Sequence, residues 1–221
     1  MSSAVIQLLV LAGIAVFLIL RLRAVLGTRE GFEKPRVQDT GAAPIDGRAR
    51  RVEAEMTGPD TDITDHAPEG IPVADALLRM KQVEPDFNVG EFLHGARGAY
   101  EMILMAFENG TLDEILPLLS RDVYESFAEV VELRESKGLR VEATFIGMRE
   151  VKLIAASFDD DTGEAEVTVR FVSELSSVVR DQGGALVEGD PNEIKRQKDI
   201  WTFGRRMGVD DPNWQLVATG E

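Results

Sequence analysis

The hydrophobic period of this chain changes at Gly138, and that change restricts the fold more than any other feature. Before Gly138 apolar residues recur every three to four positions, the spacing of one helix face. After it they alternate, as in a strand with one buried face. Val73–Glu84 ("VADALLRMKQVE") reads as an amphipathic helix stopped by Pro85. Asn88 with Glu91 three residues on reads as a helix cap, and Phe87 and Phe92 sit where a hydrophobic staple places them. That helix extends to about Asn109, with Phe92, Ala96, Ala99, Tyr100, Ile103 and Phe107 on one stripe. Thr111 and Glu114 form a capping-box pair opening a short helix to about Leu119. Ser120 opens another helix, with Val123, Tyr124, Phe127, Val130 and Val131 inward and Glu125, Glu129 and Glu132 outward.

From Leu139 the reading is all strand. "LRVEATFIGMREVKLIAASF" and "GEAEVTVRFVSEL" flank a "DDDTG" turn, a Gly-rich loop covers Asp181–Pro191, and "KRQKDIWTFGRR" and "NWQLVAT" supply the last two strands. In the second of these, Ala165, Val167, Val169 and Phe171 alternate with Glu166, Thr168 and Arg170. Helices first and antiparallel strands afterwards give an α+β domain, with the helices packed on one face of a curved antiparallel sheet.

The N-terminal stretch is of another kind. Ala4–Leu20 is an apolar run interrupted by Gln7 and followed by Arg21 and Arg23. As a helix it covers roughly 25 Å, and its neighbours Met1–Ser3 and Leu22 can extend it towards the roughly 30 Å of a hydrocarbon core. No basic residue precedes the run, and no small-residue cleavage site follows it, so an uncleaved transmembrane anchor is expected rather than an export signal. Arg21, Arg23 and Arg29 form a basic membrane collar, continued by Lys34 and Arg36, which places the N-terminus outside and the rest in the cytoplasm. Residues 28–72 hold five of the nine prolines and few large apolar side chains, and read as a disordered tether. The expected organisation is therefore anchor and collar over 1–27, tether over 28–72 and folded domain over 73–221.

Charge and chemistry exclude more than they suggest. The formal net charge is -15, with a net +4 over Arg21–Arg51 and a net -13 from Val73 onward, so a nucleic-acid partner is not expected. The clusters Lys195–Lys198 and Arg205–Arg206 read as solvated strand faces or, alternatively, as a basic docking edge. With no cysteine, disulfides and thiolate chemistry are absent. His66 falls in the tether and His94 beside a helix stripe, and no nucleotide-binding, hydrolase or metalloprotease motif occurs. "DDDTG" lacks the spacing of a calcium loop. Tyr100, Tyr124 and Asp199 are the candidates for acid–base work, although tyrosines packed in a core and a solvent-facing Asp199 account for them more simply. No metal, cofactor or catalytic activity is expected.

The aromatic load remains. Trp201, Phe203 and Trp214 fall within one short stretch and face the helical stripe of Phe92, Tyr100, Ile103 and Phe107. They either fill a core or line an apolar pocket.

The same residues carry a resemblance. "DIWTFGRRMGVDDPNWQLVAT" at Asp199–Thr219 and "FLHGARGAYEMILMAFENGTLDEILPLLSRDVYESF" at Phe92–Phe127 are similar to the Tim forty-four-like family. The anchor running into "RLRAVLGTREGFE" resembles its bacterial branch, TimA. The resemblance implies a cone of helices against a twisted antiparallel sheet, related to the nuclear transport factor two-like shape. It also implies a membrane-bound adaptor that holds a protein partner, a DnaK-class chaperone or a membrane complex, at the inner membrane. A tether of this length spans on the order of 35–40 Å and acts through effective concentration. The alternative is a tethered receptor for an apolar ligand or lipid, seated near Tyr100, Phe107, Trp201 and Trp214.

Overall fold

The computed structural model describes residues 60–67 and 71–220, all within one compact unit spanning Thr57–Glu221. The apolar run Ala4–Leu20 and the collar arginines Arg21, Arg23 and Arg29 lie outside the described residues. Among the described residues no helix is long and apolar enough to cross a membrane.

Among the described residues four α-helices and one 3₁₀ segment precede the sheet: α1 (Thr61–His66), α2 (Ile71–Val83), α3 (Val89–Asn109), the 3₁₀ segment Leu112–Leu118 and α4 (Arg121–Ser136). The strands are β1 (Arg140–Phe158), β2 (Glu164–Arg180), β3 (Leu186–Glu188), β4 (Lys195–Arg206) and β5 (Gln215–Gly220). They pair antiparallel in the order β1-β2-β4-β5, with β3 also on β2. β1 and β2 form a long hairpin, and β1 slips register at Phe145/Gly147, Met148/Glu150 and Leu153/Ala155. Each bulge bends the strand and adds twist, which lets so long a hairpin curve around the helices instead of standing flat. The expected α+β architecture, helices on one face of a curved antiparallel sheet, is what the chain adopts.

Local signals set the helix boundaries. The Asn88 side chain accepts from Glu91 N–H at 2.8 Å and opens α3, and Gly110 closes it at φ 75. Ser120 accepts from Val123 N–H and opens α4. Phe87 and Phe92 meet with ring centroids 6.4 Å apart, as a staple requires.

Four expectations need correction. Thr111 makes no side-chain cap, and the segment after it winds as a 3₁₀ helix around Pro117, whose ring and missing N–H disfavour an α-turn. Val130 is exposed on α4 rather than inward. The loop at 181–191 contains β3, which continues the ladder where β4 has not yet begun. Residues 60–67, assigned by composition to the tether, form α1 and pack on the domain, with Ile63 only 3% exposed. Asp60 caps α1 through the amides of Asp62 and Ile63. A single buried isoleucine does not register in the average composition of a Pro- and Gly-rich stretch.

The "DDDTG" stretch is a hairpin turn. Asp159 Oδ1 accepts from the amides of Asp161 and Thr162, both at 2.9 Å, and Gly163 takes φ 76. Among the described residues no group of carboxylates and histidines could hold a metal ion.

Candidate functional site

Register places the aromatic residues side by side. Val167 pairs with Phe203, Val169 with Trp201 and Phe171 with Asp199, so alternate residues of β2 and β4 all face the helices. α3 lays Tyr100 across them. The Tyr100 ring stacks on Phe171 at 4.4 Å and leans on Trp201 at 4.6 Å. Phe92, one end of the same stripe, meets Phe203 edge-on at 6.0 Å and Trp214 at 4.8 Å. Phe107, at the other end of α3, packs on Phe127 of α4 at 4.6 Å, with the Arg134 guanidinium 4.5 Å above its ring.

The seven aromatic and aliphatic candidates do not therefore line one pocket. Tyr100, Ile103, Trp201 and Phe203 are buried in a continuous core, Phe92 and half-buried Trp214 pack at one end of it, and Phe107 stands apart against α4. Edge-to-face and offset ring contacts of this kind fill space.

Within that core lies a polar group that the sequence reading placed in solvent. Asp199 is only 9% exposed and accepts the Tyr100 hydroxyl at 2.5 Å. Ser173 Oγ, fully buried, lies 2.9 Å from the same hydroxyl, and Gln197 Nε2 donates to Asp199 Oδ1 at 3.1 Å. Burial, and then the bond donated to Asp199, push the Tyr100 pKa well above its ordinary value, against the opposing influence of Ser173. The hydroxyl is thus held protonated as a donor. Strict alternation with Trp201 and Phe203 is the signal that could have turned Asp199 inward, because residues two apart on a strand share a face. Tyr124, the other tyrosine considered for proton transfer, lies on α4 and donates to Asp113 at 3.2 Å, away from this group.

The open space lies elsewhere. β2 runs on to Arg180, past the point where Leu175 meets the first residue of β4. Near that end a cavity of about 520 Å³ lies between the ends of α3 and α4, the start of β1 and the end of β2. Glu108, Arg134, Arg140, Glu142 and Arg180 line it. Arg180 is held by Glu142 at 2.8 Å and by the Gly184 carbonyl at 3.2 Å. Arg134 donates to the Phe107 carbonyl at 3.3 Å and stands 3.9 Å from Glu108. Burial raises the Glu108 pKa, and the positive charges of Arg134 and Lys195 only partly oppose it. Such a wall suits a polar, charge-bearing group, not a lipid tail.

A family model described as the Tim44-like domain matches residues 73–221, two thirds of the chain. The chain belongs to the Tim44-like family. Its curated relatives include the human "Mitochondrial import inner membrane translocase subunit TIM44", 23% identical over 170 residues, and the rat protein of the same name at 22%. In each case the alignment takes in 76% of this chain but 37% of the relative, so this Tim44-like chain spans just over a third of their length. Among solved structures, the intermembrane space region of chloroplast protein ARC6 overlays at a TM-score of 0.38 with 13% identity. That overlay covers 57% of this chain and 93% of the other, too loosely to carry an argument.

Proposed function

We propose that this chain is a membrane-anchored, non-catalytic adaptor of the bacterial TimA branch, which brings a protein partner to the cytoplasmic face of the inner membrane. The partner is a DnaK-class chaperone or a membrane complex. The observation that carries this reading is the packed aromatic core. With Tyr100 stacked on Phe171 and leaning on Trp201, and Phe203 buried beside them, these aromatic residues fill the described core, and recognition falls to the surface. The relatives' name, a translocase subunit of an inner membrane, supports the same reading, as do the apolar run Ala4–Leu20 and its flanking arginines. The receptor alternative is weaker, because the cavity of about 520 Å³ is ringed by charged side chains and the aromatic candidates do not line it.

Affinity isolation of the tagged full chain from detergent-solubilised membranes tests the proposal. A chaperone or a membrane complex should co-purify reproducibly, and alkaline extraction should leave the chain in the membrane pellet. Recovery of the chain bare, or in the soluble fraction, would end the adaptor reading.

A further inference from the structure

The segment 60–67 is bound like a ligand, and the surface beneath it is built to receive one. Asp62 accepts from the Val89 amide at 2.7 Å and the Gly90 amide at 3.0 Å, so its carboxylate sits on the positive end of α3. Lys81 of α2 clasps both Asp60 and Asp62 at 2.8 Å. Ile63, the next residue, is buried among side chains of the core. Gly90 leaves room at this crossing: a Cβ there would come 3.1 Å from His66 Nε2, 3.2 Å from Asn88 Oδ1 and 3.6 Å from Asp62 Oδ1, and a larger side chain would reach into the space the segment occupies. Beyond the end of α1 the groove continues as a cleft of about 370 Å³ against Leu93, Val151 and Leu153.

The occupant is held at few points. Ile63 is its one fully buried side chain, while Thr61, Thr64, Asp65 and His66 are exposed. A helix of six residues has no stability of its own, so ordering entropy is opposed only by the bonds to Lys81, Val89 and Gly90 and by the burial of Ile63. The Tim44-like match begins at residue 73, so the receiving surface belongs to the family domain and α1 does not.

We propose that the groove between α2, the first turn of α3 and β1 is a docking site for a short peptide, which residues 60–67 occupy in cis as a removable plug. The partner segment it fits has the chemistry of that plug: two carboxylates two residues apart, followed directly by a β-branched aliphatic residue. One carboxylate takes the α3 amides and Lys81, the other takes Lys81, and the aliphatic side chain takes the seat of Ile63. The proposal rests on the adaptor reading only in supplying the surface through which a partner would be captured.

The test uses purified full chain in detergent and a fluorescein-labelled peptide of residues 58–68, followed by anisotropy. Wild type should bind it weakly, because the cis plug reduces the fraction of competent sites. Ile63→Asp, which unseats the plug, should bind at least about ten-fold more tightly. The doubly substituted Asp60→Asn, Asp62→Asn chain should do the same without touching the buried aliphatic. Adding Gly90→Val to either should abolish binding, and a peptide carrying the Ile63→Asp change should not bind at all. Equal affinity for wild type and both released chains, each with a native circular dichroism spectrum, would overturn the proposal. So would absence of binding to every chain. Neither result bears on whether a partner co-purifies from membranes.

Discussion

The Tyr100 hydroxyl of α3 donates to Asp199 of β4 at 2.5 Å, joining helix and sheet through a bond between residues 99 positions apart. Tyr100→Phe removes the donor and leaves the carboxylate with less to hold it, at a cost of about 1–3 kcal/mol. The pH dependence follows from the raised phenol pKa. The unfolded chain releases the proton near the ordinary value of 10.0, before the folded chain does. The stabilisation is therefore complete below about pH 10 and declines above it. Urea midpoints between pH 8 and 11 should show that decline in wild type and a shallower one in Tyr100→Phe.

A second long-range tie joins Glu84, just after α2, to Arg205 of β4. Glu84 accepts from the Arg205 guanidinium with both oxygens and from the Gly208 amide at 2.7 Å. The Arg205 side chain is only 10% exposed and its guanidinium lies 5.9 Å from the Trp214 ring, so it is no solvated strand charge. Glu84→Ala strands that guanidinium and should cost on the order of 3 kcal/mol in denaturant unfolding. Glu84→Ala combined with Arg205→Met should recover much of the loss, because removing both partners leaves no unpaired charge.

These two ties mark the boundary of what a sequence read alone could show. The Asn88 cap, the Phe87–Phe92 staple and the alternation along β2 depend on residues within a turn or a strand of one another, and all three are visible in the order of residues. The burial of Asp199 was half visible. Alternation with Trp201 puts it on the inner face, but its charge argued for water, and only the distant Tyr100 and Ser173 make an inward carboxylate tolerable. α1 was hidden for the same reason. Ile63 is one apolar residue in a polar stretch, and what orders it is Lys81 and the amides of Val89 and Gly90. The charged cavity could not be read at all, since its lining comes from the ends of α3, α4, β1 and β2, which only the fold brings together.

Acid should release α1 before the rest of the domain. At Asp60 the hydrogen bond from Lys81 lowers the pKa. At Asp62 burial acts to raise it, but the bonds from Lys81, Val89 and Gly90 prevail and the net shift is downward. Burial likewise acts to lower the Lys81 pKa, and its two carboxylates raise it on balance. Carboxylates with depressed pKa values contribute stability above about pH 4 that is lost as pH falls through their folded values. Hydrogen-exchange protection factors at the Val89 and Gly90 amides should therefore collapse below pH 4, while those of central β2 amides persist. Simultaneous loss at both places would show that α1 is an integral part of the domain.

Glu108 supplies the last prediction, and its sign is the reverse of the others. Burial raises its pKa, with Arg134 and Lys195 pulling the other way, so at neutral pH the folded chain holds a carboxylate that the unfolded chain carries more comfortably. Glu108→Gln keeps the shape and removes the charge, while Arg134 retains the Phe107 carbonyl and ring. The melting temperature should rise at pH 7, and the advantage should vanish below about pH 4, where both states of the wild-type chain are protonated. Glu108 is then a charge that the fold carries at some cost in stability. If the cavity between α3, α4 and the ends of β1 and β2 contributes to partner capture, the stabilised Glu108→Gln chain should recover less partner from membranes than wild type. Undiminished recovery would remove the cavity from the recruiting surface and leave the groove under α1 as the place to look.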